Sequence, residues 1–244
     1  MPLQILEDSA LAETLGSAEL AADVAASVHG GDCRSCGRPI PPSSPARLVA
    51  QRSPAGSLVS VWAQHASCGA PTTPEPGDES MLLMLTPHTY SFQMFDTQLS
   101  VEEPGGFLGR KKTRLIPMVG MLMHPTIDGA VVTALEDGSM PATQLEGYRA
   151  KGWFSMDQEA TTAVPLGTQA TLEGHELTLI INFTPHTIEL RSGEAQMLRD
   201  VGALHLYITF RADPATMDGQ QIHALADSDE AVMAYLPLQT PAQG

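Results

Sequence analysis

Apolar residues near the start of the chain recur at four-residue spacing, and over most of the rest they alternate or run continuously. Leu11 and Leu15, then Leu20, Val24 and Val28, fall on single helix faces. This spacing predicts a helical segment over 1–30, a hairpin of two helices broken at Gly16. Ser17 is the expected N-cap of the second helix, and Gly30-Gly31 its stop. From Asp32 the run CRSCGRPIPPSSP, with four prolines, cannot be helix. Apolar strands follow at 46–52 and 57–64, and the turn residues Ser53-Pro54-Ala55-Gly56 between them predict a hairpin. Residues 69–80 carry three prolines, two glycines and no large apolar side chain, so they read as a linker and a domain boundary. Beyond them strands are expected at 81–86, 89–95, 115–124, 130–135, 170–183, 187–192 and 203–210. One helix is expected over 142–151, closed by Gly152, and a second, short one over 228–234.

Composition narrows the class without naming the work. The chain has 244 residues, 43% hydrophobic, enough for one large domain or two smaller ones. A net charge of −15 argues against a surface that binds nucleic acid or anionic membrane throughout. No run approaches the roughly 18 apolar residues of a membrane span, and the first residues lack the pattern of a signal peptide. A cytoplasmic protein is expected.

All three cysteines belong to one pattern: Cys33-x2-Cys36, then His65-x2-Cys68. Two ligand pairs, each separated by two residues, suit tetrahedral Zn²⁺, because each pair spans a tight turn and the hairpin between brings them together. Gly37 fits such a turn, where one residue often needs positive φ. A redox Cys-x-x-Cys works at a helix N-terminus, and Pro39, Pro41 and Pro42 prevent a helix here. A structural disulfide would leave an odd cysteine. Four protein ligands leave no open position on the ion, so the expected Zn²⁺ is structural.

This spacing resembles treble-clef fingers, in particular the poly(ADP-ribose) polymerase type, in which a Trp shortly precedes the His-x2-Cys pair, as Trp62 does here. LIM-type half-sites are similar with a shorter hairpin. The resemblance implies a Cys3His metal site over residues 33–68. It stops there: treble clefs continue into a helix after the last ligand, where this chain has Pro71 and Pro74, and the aromatic expected after the last cysteine is absent. DNA-break recognition is therefore not carried over. Between Cys33 and Cys68 lie Arg34, Arg38, Arg47 and Arg52 and no acid, so the module stays net positive once three thiolates and a divalent ion are counted. These arginines are candidate contacts to an anion or nucleic acid; the alternative is that they solubilise the module or meet an acidic protein surface.

Other patterns carry less. Thr86-Pro87-His88-Thr89 recurs as Thr184-Pro185-His186-Thr187, a repeat that chance also produces at this length. Asn182–His186 resembles the opening strand of small uncharacterised bacterial and phage proteins. The stretch from Gly105 to Thr113 fails the phosphate-loop pattern, and its basic run reads as a solvated hairpin tip. No nucleophile–base pair is identifiable, so no catalytic residue is assigned. The expected fold class is α+β, mostly β: a small zinc-binding module, then an antiparallel β sandwich or barrel with one or two short helices. The expected segments are a helical N-terminus (1–30), the module (31–68), the linker (69–80), the β-rich domain (81–237) and a flexible tail (238–244). The expected function is that of a non-catalytic, bacterial or phage-borne interaction or accessory protein with a protein partner. A nucleic-acid-binding regulator using residues 33–68, and an enzyme with its site on the β-domain, are the alternatives.

Overall fold

The computed structural model describes residues 3–6, 9–28, 31–33, 35–41, 44–53, 55–69, 88–103, 112–127, 129–155, 164–181, 184–210 and 213–239. In chain order the elements are β1 (Gln4–Ile5), α1 (Ser9–Leu15), α2 (Ala18–Ser27), β2 (Pro45–Arg52), β3 (Leu58–His65), β4 (His88–Glu103), β5 (Lys112–Ile127), β6 (Gly129–Thr133), α3 (Gln144–Arg149), β7 (Gln169–Glu173), β8 (Glu176–Ile181), β9 (Thr184–Glu189), α4 (Ser192–Val201), β10 (Ala203–Thr209), α5 (Gly219–Ala226) and β11 (Ala231–Gln239). The protein is mostly β, as the sequence predicts. Among the described residues no helix is long and apolar enough to cross a membrane.

Two compact units emerge from the contacts. The first comprises Met1–Ser91, His124–Ala150 and Thr209–Asp213. Its sheet has the order β1-β2-β3-β6. β2 and β3 form the expected antiparallel hairpin, Ala46 opposite His65 through Arg52 opposite Val59. β6 adds antiparallel to β3, with Leu58 opposite Thr133 and Trp62 opposite Gly129. The helical hairpin forms as read: Gly16 takes φ 77 between α1 and α2, and the Ser17 hydroxyl accepts the Leu20 N–H at 3.1 Å as an N-cap. Leu15, Leu20, Val24 and Val28 bury against Leu48, Val59, Val61 and Cys33, with Val132 of β6 in the same cluster. Each such aliphatic side chain contributes roughly 1.5–3 kcal/mol on burial. α3 is tied to α2, where Gln144 Nε2 donates to Ser27 Oγ at 3.0 Å. The unit that carries Cys33, Cys36, His65 and Cys68 thus draws on 1–28 and 129–150 as well as on 31–69. Residues 70–80 of the expected linker lie outside the described residues.

The second unit comprises Phe92–Met123, Lys151–Ile208 and Pro214–Gly244. The seven-stranded sheet has the order β4-β5-β10-β11-β7-β8-β9. β7, β8 and β9 are antiparallel, as expected. β10 lies parallel to β5 and β11 parallel to β7, so the sheet also holds parallel pairs that the expected antiparallel sandwich or barrel did not include. Every residue of β10 is buried, the pattern of a central strand covered on both faces. Ile222, Leu225 and Ala226 of α5 pack with Leu122, Tyr207, Met233 and Phe154.

Three further readings change. The strand expected at 170–183 is two strands, β7 and β8, turning at Gly174-His175. The short helix expected at 228–234 is replaced by β11, which also takes in Leu238 and Gln239 of the expected tail; 240–244 lie outside the described residues. α4 and α5 were not expected. Of the suggested repeat, Thr86 and Pro87 lie outside the described residues, and Thr184-Pro185-His186-Thr187 opens β9.

Candidate metal centre

Cys33 and Cys36 sit on a tight turn closed by its own backbone. Asp32 and Pro39 form an antiparallel bridge, the Cys33 N–H donates to the Arg38 carbonyl at 2.8 Å, and the Gly37 N–H donates to the Cys33 carbonyl at 2.7 Å. Gly37 takes φ 67, a left-handed conformation that closes the turn and disfavours a side chain. The second pair comes from the end of the hairpin. His65 is the last residue of β3, and the Cys68 N–H folds back onto its carbonyl at 3.0 Å. Pairing of Ala46 with His65 fixes where that turn starts.

The four side chains converge. Their ligand atoms all lie within 4.8 Å of one another, and among the described residues this is the group that could hold a metal ion. The Cys33 and Cys68 sulfurs are 3.7 Å apart. His65 Nδ1 lies 3.5 Å from Cys36 Sγ and 4.0 Å from Cys68 Sγ. Cys33 is buried in the unit's core, Cys68 and His65 are half-buried, and Cys36 is exposed.

Electrostatics divide the sulfurs. Burial pushes the Cys33 thiol up, yet the backbone N–H groups of His65, Cys36 and Ser35 and the Cys36 side chain outweigh it and lower its pKa to about 6. The His65 N–H donates to Cys33 Sγ at 3.3 Å. Burial, the hydrogen bonds with Cys33 and Cys36, and the charge of those two groups raise Cys68 to about 11. Adjacent thiols cannot all ionise without a cation among them. A divalent ion would supply that charge, and a Cys3His set is compatible with one.

Three of the four candidate arginines lie among the described residues. Arg34 lies outside the described residues. Arg38 and Arg47 are exposed. Arg52 is exposed as well, but its guanidinium donates to the Thr14 carbonyl at 2.7 Å and to the Gly56 carbonyl at 3.4 Å. It therefore caps the C-terminal turn of α1, a structural role the sequence reading missed because only the fold brings the end of β2 to that helix.

Of the histidines in the later part of the chain, His124 is buried with Nδ1 3.1 Å from the Thr209 carbonyl. His205 is buried, and neither of its ring nitrogens is hydrogen-bonded among the described residues. Neither belongs to a metal-holding group among the described residues. No protein-family model, curated protein or solved structure matches this chain.

Proposed function

We propose that this protein is a non-catalytic interaction or accessory protein in which Cys33, Cys36, His65 and Cys68 hold one structural Zn²⁺. The observation that carries the metal assignment is the spacing of the donor atoms. A tetrahedral ion with bonds of about 2.3 Å to sulfur and about 2.0 Å to nitrogen separates two sulfurs by about 3.8 Å, and a sulfur from a nitrogen by about 3.5 Å. The Cys33–Cys68 separation is 3.7 Å and that of Cys36 Sγ from His65 Nδ1 is 3.5 Å. Three soft sulfurs and an imidazole favour Zn²⁺ over hard cations such as Mg²⁺ or Ca²⁺.

With four protein ligands the ion has no position for water or substrate, so its work is to fix the turn at 33–36 to the end of β3. A site of this kind presents a surface to a macromolecular partner, and another protein is the partner we propose, in a reducing, cytoplasmic setting that suits free thiols. The turn, the intervening hairpin and the second ligand pair also support a treble-clef-like reading of residues 33–68. Elemental analysis of protein purified without chelator tests the assignment: near one zinc per chain is expected, lost on Cys36→Ser because serine is a hard, poorly ionised ligand. A metal-free chain, or metal lost only when later histidines are changed, overturns it.

A second reading, binding of nucleic acid, draws on Arg38 and Arg47, which are exposed on a stretch without acids. Titration of the full chain with duplex DNA at several salt concentrations separates the two: steeply salt-dependent binding supports the second reading, and no binding leaves the protein-partner reading in place.

A further inference from the structure

Resting on the zinc reading, we propose that Cys36 is the oxidant-reactive position of the metal centre, and that a hydroperoxide attacking there expels the ion by forming a Cys36–Cys68 disulfide. The three sulfurs differ in what a reagent in solution meets. Cys33 has 0% exposure, lies in the hydrophobic cluster of its unit and accepts the His65 N–H at 3.3 Å. Burial denies a reagent in solution approach to this sulfur, whatever its ionisation. Cys68 is half-buried on the turn that follows β3. Cys36 is exposed, on the outer limb of a turn whose backbone hydrogen bonds hold the rest of the loop in place.

The chemistry balances with a hydroperoxide as oxidant. The Cys36 thiolate attacks the terminal peroxide oxygen, an S–O bond forms to give the sulfenic acid, and the O–O bond breaks with departure of hydroxide from hydrogen peroxide or alkoxide from an organic hydroperoxide; sulfur loses two electrons and the peroxide gains them. The Cys68 thiolate then attacks the Cys36 sulfur, the S–S bond forms, the S–O bond breaks and hydroxide departs. Cys68 is the resolving partner because its sulfur lies within 4.8 Å of Cys36 and the turn carrying it is half-exposed, whereas Cys33 is fixed in the core. Only Cys33 and His65 would then remain to hold an ion, too few to keep it against solvent or a chelator.

The test uses the full chain. Zinc is quantified first, hydrogen peroxide is then added with a chromogenic chelator present, and unreduced peptides are mapped by mass spectrometry as the metal appears. One zinc equivalent is released in step with a peptide pair joined through Cys36 and Cys68. Release accompanied by a Cys33–Cys68 or Cys33–Cys36 linkage overturns the inference, as does zinc retained under peroxide that oxidises free thiols. Cys36→His keeps four ligands while removing the exposed sulfur, and is expected to lose zinc about tenfold more slowly; loss at the native rate overturns the role of Cys36. A chain with no zinc before peroxide overturns the metal reading itself, whereas a zinc-loaded chain with the wrong linkage overturns this inference alone.

Discussion

The ring of Phe95 on β4 lies directly over Gly120 on β5: a Cβ at position 120 would stand 2.6 Å from Phe95 Cζ and within 2.9 Å of two more ring carbons. Gly120 pairs with His205 of β10 at this point, so the strand cannot simply move away. Gly120→Ala should destabilise the protein by about 1–3 kcal/mol through overpacking. Adding Phe95→Leu should recover part of that loss. Urea denaturation of the two single variants and the double variant checks the coupling; additive losses would mean that the ring and the glycine do not constrain each other.

His205 should give this sheet an acid sensitivity. It is 2% exposed, and among the described residues neither ring nitrogen has a hydrogen-bond partner. The rings of Tyr207 and Tyr235 stand edge-on to it at 6.3 Å and 5.9 Å. Burial lowers its pKa from 6.5 to about 4. The folded state therefore binds its proton later than the unfolded chain. Stability from this group is complete above the unfolded pKa and falls as pH drops from 6.5 toward 4, by at most about 3 kcal/mol. His205→Leu should flatten that decline. Denaturation of both proteins at about pH 7 and about pH 5 measures it, and an unchanged pH slope would assign the acid sensitivity elsewhere.

Arg52 and the other arginines should separate in a stability assay. Arg52→Ala removes the donor to the Thr14 carbonyl in the last turn of α1 and should cost about 0.5–1 kcal/mol. Arg38→Ala and Arg47→Ala, at exposed positions, should change stability by less than about 0.5 kcal/mol. Thermal melting of the three variants ranks them; equal losses would remove the structural distinction.

What the sequence revealed, and what it hid, has a physical pattern. The helix pair at 9–27 was legible because four-residue spacing, a serine cap and one glycine break agree with each other. The convergence of Cys33, Cys36, His65 and Cys68 was legible because the two pairs have the spacing that coordination chemistry sets within two short turns. β11 was misread because AVMAYLPLQ is apolar without alternation, so burial on both faces erased the period that distinguishes a strand from a helix. α4 was hidden by Gly193 in its first turn and by an inward face of little more than Ala195 and Leu198. The parallel pairs of β5 with β10 and β7 with β11 join segments distant in sequence, and no local signal reports them. The same applies to β6 joining β3, which brings 129–133 into the sheet of the metal-bearing unit.

That last pairing makes a prediction for metal removal. On the zinc reading a bound ion would anchor the end of β3; β3 carries β6, and Cys33 shares a cluster with Leu15, Leu20, Val61 and Val132. Chelation should therefore strip hydrogen-exchange protection from β2, β3 and β6 together, although β6 lies more than sixty residues from Cys68. β8 and β9, paired with each other in the second unit, should keep theirs. Loss confined to residues 31–69 would show that β6 holds without the metal.

The central claim is that Cys33, Cys36, His65 and Cys68 hold one zinc ion as a closed tetrahedral set. Zinc K-edge X-ray absorption on the full chain, purified without chelator, measures it most directly. One ion per chain is expected, with three sulfur neighbours at about 2.3 Å and one nitrogen neighbour at about 2.0 Å. A chain without metal, or an ion surrounded by oxygen and nitrogen with no sulfur, would contradict it.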